Sequence, residues 1–154
     1  MPNLKEKYKK LMSKHSLPKL EDLEREFSFE LEEDGDILSF ISDKILERMD
    51  EFSKTLETAL FPVHDPSKLY EAKMAKGKRE ELFGIYKSMM SLYWEGRKTL
   101  IAPTEKTRAE YIKKAYGMWV KDFKEKVMSL FDLFEKEWQK VQFENNNDTA
   151  LYFG

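Results

Sequence analysis

Apolar residues recur every three or four positions along almost the whole chain, and this spacing constrains the fold more than any other feature. Positions three and four apart lie on the same face of an α-helix, so each such stripe predicts an amphipathic helix. Three stripes are long enough to predict long helices, over about residues 37–60, 78–102 and 104–143. The chain is therefore expected to form an all-α helical bundle with three long helices and several short ones.

Proline, glycine and capping residues predict where the shorter helices begin and end. Short helices are expected over about residues 4–15, 18–27 and 66–75. Residues 27–32 alternate apolar and polar side chains, but a single such run has no strand to pair with. This run is expected to be an extended segment laid across the bundle. Asp34 or Asp36 is expected to cap the first long helix, and Thr104 or Thr107, the latter with Glu110, the last one.

A length of 154 residues suits one domain. Residues 1–143 are expected to form the bundle, and residues 144–154 a flexible polar tail with an apolar end. The stripes also predict which side chains are largely buried. These predicted core residues are Ile41, Ile45, Met49, Phe52, Tyr86, Met90, Trp119, Phe123 and Phe131.

Composition excludes several classes of protein. Without cysteine there is no disulfide, zinc ribbon or iron–sulfur cluster, and a net charge of −2 favours neither nucleic acid nor an anionic membrane. No apolar run approaches the roughly 20 residues that span a bilayer. The charged N-terminal segment is unlike a secretory signal. The expectation is a cytoplasmic protein with no membrane partner.

The usual signatures of catalysis and cofactor binding are missing from the sequence. His15 and His64 are the two histidines, and neither follows a Glu or Asp by three residues, the spacing of helical metal sites. Glycine-rich phosphate loops and the G-x-S-x-G nucleophile motif do not occur. The sequence therefore predicts no catalytic residue, no metal and no cofactor. His15 is expected to lie at the edge of the core.

Charge is unevenly distributed. Residues 1–20 carry six lysines against one glutamate, and residues 21–36 carry nine acidic residues against one arginine. The favoured interpretation is that these two segments lie close together and compensate. A candidate basic patch surrounds Gly77, although acidic neighbours dilute it, and it would suit phosphate groups. The patch consists of Lys73, Lys76, Lys78 and Arg79.

Aromatic residues in the helical stripes permit two interpretations. They suit a stacking platform or a ligand pocket, but at helical spacing among Leu and Met a place in the core is favoured. Met89 and Met90 permit the same choice, between an adaptable groove and core filling. The aromatic residues concerned are Tyr86, Tyr93, Trp94, Tyr116, Trp119 and Trp138.

The end of the sequence is a candidate partner-binding segment. Leu151, Tyr152 and Phe153, followed by Gly154, come after a polar spacer and are costly to leave in water, at roughly 1.5–3 kcal/mol each. They are expected to dock on this bundle, on another protein or on a second copy. The sequence leaves these choices open.

The segments Leu4–Tyr8, Leu17–Leu23, Glu33–Asp36 and Tyr152–Gly154 resemble a family of small, uncharacterised archaeal all-helical proteins. This resemblance implies an archaeal, cytosolic setting and supplies no activity. The function expected from the sequence is a non-enzymatic protein–protein interaction module. The alternative is an RNA- or ribonucleoprotein-associated helical protein that uses the basic clusters.

Overall fold

The computed structural model describes residues 3–32, 35–61 and 66–143. These residues fold as one all-α domain, and no β-strand occurs among them. The prediction of long helices joined by shorter ones is confirmed. The α-helices are α1 (Leu4–His15), α2 (Leu20–Phe27), α3 (Ile37–Leu60), α4 (Pro66–Met74), α5 (Arg79–Ile101), α6 (Glu105–Met118) and α7 (Lys124–Lys140).

The long helices begin at capping side chains. The Asp36 side chain accepts hydrogen bonds from two backbone N–H groups in the first turn of α3, as predicted. Thr104 caps α6, and its capping-box partner is Thr107. The predicted pairing of Thr107 with Glu110 is therefore wrong, because Thr107 already bonds back to Thr104. The alternative cap Asp34 lies outside the described residues.

The last long helix is not regular. A π turn, Trp119–Phe123, joins α6 to α7, and the Lys124 N–H donates to the carbonyl oxygen of Trp119, five residues earlier. The buried positions Ala115, Trp119, Phe123 and Val127 are spaced by four. In a regular helix of 3.6 residues per turn such a row drifts around the axis, and the wider π turn counteracts this drift. The helix ends at Lys140, slightly before the predicted end at residue 143.

The core lies around α3, which packs against α4, α5 and α6. Ile41, Ile45 and Met49 on α3 are fully buried, and Trp119 and Phe123 close the core from the other side. These five predicted core residues are confirmed. Burial of such side chains supplies most of the stabilisation of a bundle of this size.

Four other predicted core residues are less buried than expected. Phe52 and Tyr86 are half-buried at the edge of the core, and Met90 is half-buried on α5. Phe131 is 38% exposed, so the prediction that it is largely buried is wrong. It follows the buried Leu130 by one residue, which turns it about 100° around the helix axis and away from the core.

The predicted extended segment is non-helical but begins later than expected, since α2 includes Phe27. Ser28 adopts a positive φ of 52°, a left-handed conformation that ends the helix. Phe29 then packs edge-on against Phe40, and the Leu31 N–H donates to the carboxylate of Glu24. The segment therefore lies across the N-terminal part of α3.

The two oppositely charged segments lie close together, as expected, although no ion pair joins them among the described residues. Glu21 lines one groove with Lys5 and Lys9, but the ion pairs of the described residues lead elsewhere. Lys14 binds Glu105 on α6. Glu26 binds Lys124, and Asp36 binds Arg108 at 2.6 Å. The segments therefore lie near each other as expected, while the ion pairs of Lys14, Glu26 and Asp36 lead to α6 and α7.

Within the described residues, no helix has both the length and the apolar character needed to cross a bilayer.

Candidate interaction surface

Two sequence predictions lie partly or wholly outside the described residues. The candidate partner-binding segment, Leu151, Tyr152, Phe153 and Gly154, belongs to residues 144–154, and His64 belongs to residues 62–65. The tail therefore stays a prediction, and the candidate surface described below is built from helices α3 and α5.

The basic patch spans the junction between α4 and α5. Lys73 lies in the last turn of α4, Lys76 and Lys78 lie in a 3₁₀ turn, and Arg79 begins α5; all four are exposed. Arg79 stabilises the C-terminal end of α3, since its Nη2 donates a hydrogen bond to the carbonyl oxygen of Leu60 at 2.8 Å. The last carbonyl groups of a helix have no hydrogen-bond partner within the helix itself. The three lysines are therefore the part of the patch available to a ligand.

The neighbourhood of the patch is partly neutralised by carboxylates. Lys126 binds Glu81 at 2.6 Å across the helices. This hydrogen bond, together with the charges of Lys126 and Lys78, lowers the pKa of the Glu81 carboxyl. Lys78 therefore lies beside a carboxylate that is ionised at neutral pH.

Helix α5 carries a second apolar face that points to solvent. Phe83, Met90, Trp94 and Ile101, here called the α5 stripe, are spaced by seven, four and seven residues and so fall on one side of the helix. Phe83 is 43% exposed, Trp94 59% and Ile101 87%, while Met90 is half-buried. At a rise of about 1.5 Å per residue the stripe is about 27 Å long.

The opposite face of α5 forms part of the core. Leu82, Met89 and Leu92 are fully or almost fully buried against α3 and α6. The two methionines therefore differ, since Met89 fills the core and Met90 is a half-buried member of the α5 stripe. A helix that packs on one face normally presents polar residues on the other. The α5 stripe departs from this rule and needs an explanation.

Neighbouring rings fix one end of the stripe. The Phe61 ring, at the end of α3, lies 6.3 Å from the Phe83 ring at 86° and 5.9 Å from the Tyr86 ring. Tyr86 in turn donates a weak hydrogen bond to Glu57 at 3.3 Å. Further along, the Trp94 ring meets Tyr93 edge-on at 5.4 Å. Edge-on aromatic pairs are favourable, so the exposed rings are held in defined positions.

A shallow groove runs beside the stripe, between α3 and α5. It has a volume of about 320 Å³ and is lined by Leu46, Tyr93 and Leu100 together with four charged side chains, those of Asp43, Glu47, Asp50 and Arg97. Its α3 side carries carboxylates, among them Asp43, whose pKa is raised by burial although the nearby Arg108 opposes this shift. The groove therefore places charged as well as apolar side chains beside the stripe.

Carboxylates of α3 and cations of α5 lie beside the α5 stripe. On the α3 side Glu47 binds Lys44 at 3.6 Å and Asp50 binds Lys54 at 2.9 Å, whereas Asp43 makes no ion pair among the described residues. On α5 itself three cations flank the stripe, and none of the three makes an ion pair within the described part of the chain. These flanking cations are Lys87, Arg97 and Lys98.

Other polar groups of the described residues lie in the core or at its edge. In residues 3–32, 35–61 and 66–143, no group of three His, Cys, Asp or Glu side chains is placed to hold a metal ion. His15 lies at the edge of the core as predicted, and its Nε2 is 2.7 Å from Glu105 Oε2. The Tyr111 hydroxyl is buried without a hydrogen-bond partner in the described structure, and burial raises its pKa.

Sequence reasoning placed the aromatic residues of α5 in the core, and for Trp94 this is wrong. Trp119 is buried as expected, while Tyr116 and Trp138 are half-buried; the Trp138 Nε1 donates to Glu71. One signal was available in the sequence. The apolar residues between positions 82 and 94 cover more of α5 than one buried face can hold, so some of them had to face solvent.

The chain matches no family model, and it matches neither a curated protein nor a solved structure. The resemblance to small archaeal helical proteins therefore stays a prediction.

Proposed function

We propose that this protein is a non-enzymatic interaction module, working in an archaeal cytoplasm, that binds another protein through the α5 stripe. The observation that supports the proposal is the exposed apolar row along α5, with Trp94 and Ile101 in its second half. Several large apolar side chains exposed on one side of a folded domain are typical of an interaction site. The non-enzymatic character and the compartment are part of the proposal and follow from the sequence argument.

The energetics favour a protein surface as the ligand. Burial of a large apolar side chain contributes roughly 1.5–3 kcal/mol, so the exposed members of the stripe together offer several kcal/mol to a partner. Tryptophan is among the residues most enriched at the energetic centres of protein interfaces. Because the rings of Phe83 and Trp94 are already held by neighbours, less side-chain entropy is lost on binding.

A site-directed cross-linking experiment tests the proposal. A photoreactive amino acid is placed at position 94 in the full chain, and at the exposed Met128 on α7 as a matched control. Cross-linking in the native host, with nuclease present, is expected to join position 94 to one protein at a mapped residue. The double variant Trp94→Ser, Ile101→Ser should abolish the complex, while Met128→Ser should retain it. Equal cross-linking at positions 94 and 128, or a complex insensitive to the double variant, would contradict the proposal.

The alternative function, association with RNA, is supported by the basic patch. Lys73, Lys76 and Lys78 are exposed and make no ion pair within the part of the chain that the structure describes. If they follow a phosphate backbone, each contact adds about 0.7–0.9 to the slope of log affinity against log salt. We expect no tight RNA binding at physiological salt, because acidic residues surround the patch. A salt-sensitive complex that is lost on changing the three lysines to Glu would reverse the ranking of the two functions.

The tail at residues 150–154 is a second proposed contact. Its removal separates the two roles predicted from the sequence. Loss of stability indicates docking on the bundle, whereas loss of partner binding at an unchanged melting temperature indicates docking on another protein or a second copy.

A further inference from the structure

We propose that the groove between α1 and α2 binds a small amphiphilic anion, a molecule with a short apolar chain and one anionic head group. This α1–α2 groove has a volume of about 320 Å³. None of its lining residues belongs to α5, so the proposal is independent of the function proposed for the α5 stripe. The lining residues are Lys5, Tyr8, Lys9, Met12, Lys19, Leu20 and Glu21.

The apolar lining residues lie deeper than the charged ones. Tyr8 and Leu20 are buried, and Met12 is half-buried. The Tyr8 hydroxyl donates a hydrogen bond to the carbonyl oxygen of Pro18, which ties α1 to the start of α2 and holds the groove in place. Methionine side chains adapt readily to an apolar ligand. The deeper part of the groove therefore suits a short apolar chain.

Three lysines border this apolar part of the groove. Lys5 and Lys9 lie one turn apart on α1, and Lys19 directly precedes α2. All three are exposed, and none makes an ion pair within the described part of the chain. Glu21 is the one carboxylate among the lining residues, and Glu6 on α1 does not line the groove. Three positive charges against one negative charge favour an anionic ligand.

The remaining carboxylates of α2 do not compensate these lysines. Asp22 binds Arg25 on its own helix at 3.1 Å, and Glu26 binds Lys124 at the start of α7. Glu24 accepts a hydrogen bond from a backbone N–H seven residues later. The acidic side chains of α2 other than Glu21 thus have partners away from the α1–α2 groove, and the excess of positive charge in the groove is left to a ligand.

The size and the apolar lining of the groove determine the class of ligand. Small-molecule sites usually have volumes of about 300–1,000 Å³, so a volume of about 320 Å³ suits a small ligand. Single-stranded nucleic acid stacks its bases on accessible rings, but Tyr8, the aromatic lining residue, is 1% exposed. The arrangement fits an alkyl chain over Met12 and Leu20, with a carboxylate or phosphate head group among the lysines.

Four probes with the same alkyl chain test the proposal on the full chain: octanoate, octyl phosphate, octanol and octylammonium. Each is titrated below its micelle concentration and followed by calorimetry and by two-dimensional NMR. We expect at least one of the two anions to bind at a single saturable site, at least about tenfold more tightly than octanol and octylammonium. The perturbed NMR signals should centre on α1 and α2. The tighter of the two anions identifies the head group as carboxylate or phosphate.

Two variants of equal net charge locate the site. The variant with Lys5, Lys9 and Lys19 all changed to Glu should lose the preference for anions. The control variant with Lys10, Lys121 and Lys136 changed to Glu should keep it, since these exposed lysines do not line the groove. Thermal melts of both variants confirm that they are folded.

Several outcomes would overturn the proposal while leaving the α5 stripe untouched. They are equal binding of octanol and the anions, no saturable binding of either anion, and NMR perturbations centred on another surface. Equal loss of binding in both triple variants would show that overall charge, and not the groove, attracts the anion. Saturable binding only after deletion of residues 144–154 would show that the tail, and not a small ligand, occupies the groove.

Discussion

The ring of Tyr111 on α6 lies directly against the backbone of Gly96 on α5. A Cβ atom built on Gly96 would lie 2.5 Å from Tyr111 Cζ and 2.7 Å from a methyl carbon of Leu46. This close approach lets α3, α5 and α6 meet at one point. Gly96 is thus required for helix packing, and its role is unrelated to backbone flexibility.

Gly96→Ala is therefore expected to lower the free energy of unfolding by about 1–3 kcal/mol, since the added methyl group overfills a packed core. Gly84 lies in the same helix with no atom within 4 Å of a built Cβ, so Gly84→Ala serves as the control. That control should raise the free energy of unfolding by about 0.5–1 kcal/mol through helix propensity alone. Urea denaturation measures the free energy of unfolding of both variants. Equal changes at the two positions would show that Tyr111 and Leu46 do not pack against Gly96.

Truncation of aromatic residues should separate buried from exposed positions on the last long helix. Phe123 is 1% exposed, so Phe123→Ala is expected to cost about 3–5 kcal/mol. Phe131 is only partly buried against Phe52, so Phe131→Ala should cost about 1–2 kcal/mol. A calorimetric melt of each variant provides the comparison. If both variants lose a similar amount of stability, Phe131 is buried as deeply as Phe123, and the side of α7 assigned to the core is wrong.

Arg79 should differ from its lysine neighbours in its effect on stability. Arg79→Ala removes the charged donor to the Leu60 carbonyl group and is expected to cost about 1–2 kcal/mol. Lys76→Ala removes an exposed side chain without a hydrogen bond in the described structure, and its effect should stay within about 0.5 kcal/mol. Chemical denaturation distinguishes the two, and an unaffected Arg79→Ala variant would rule out the capping role.

The junction of α1 and α6 should make stability depend on acidic pH. Hydrogen bonds from Lys14 and His15 lower the pKa of the Glu105 carboxyl below its usual value of 4.5. The stabilisation is therefore fully present above about pH 4.5 and is lost as the pH falls through the lowered value. Glu105→Gln should reduce the urea midpoint at pH 7 and weaken its decline on acidification. Glu125→Gln, on the exposed side of α7, should leave that decline unchanged.

The helices could be predicted from the sequence because the apolar stripes and the capping residues indicate the same helix positions. Ile41, Ile45 and Met49 fall on one face of α3, and Asp36 marks its start, so both signals give the same helix. Periodicity was less informative for neighbouring apolar residues. Leu130 and Phe131 are both large apolar residues that could be buried, and only the packing of α7 decides that Leu130 is the buried one.

The candidate surface was harder to predict, because exposure is a property of the assembled bundle. Apolar residues occur at helical spacing on both faces of α5, and only contacts with α3 and α6 decide that Leu92 is buried and Trp94 exposed. Likewise, Arg79 belongs to the basic patch in the sequence, but its bond to Leu60 depends on how α3 and α5 meet.

The π turn at Trp119–Phe123 is also a place where the length of the chain can change. A turn of this kind holds one residue more than the regular helix around it, and Val120, Lys121 and Asp122 within it are exposed. Deletion of one of these residues would convert the turn to a regular helix while α6 and α7 keep their faces toward the core. The same deletion inside α3 would rotate every following side chain by about 100°. Single-residue insertions and deletions among close relatives are therefore expected to concentrate at this turn.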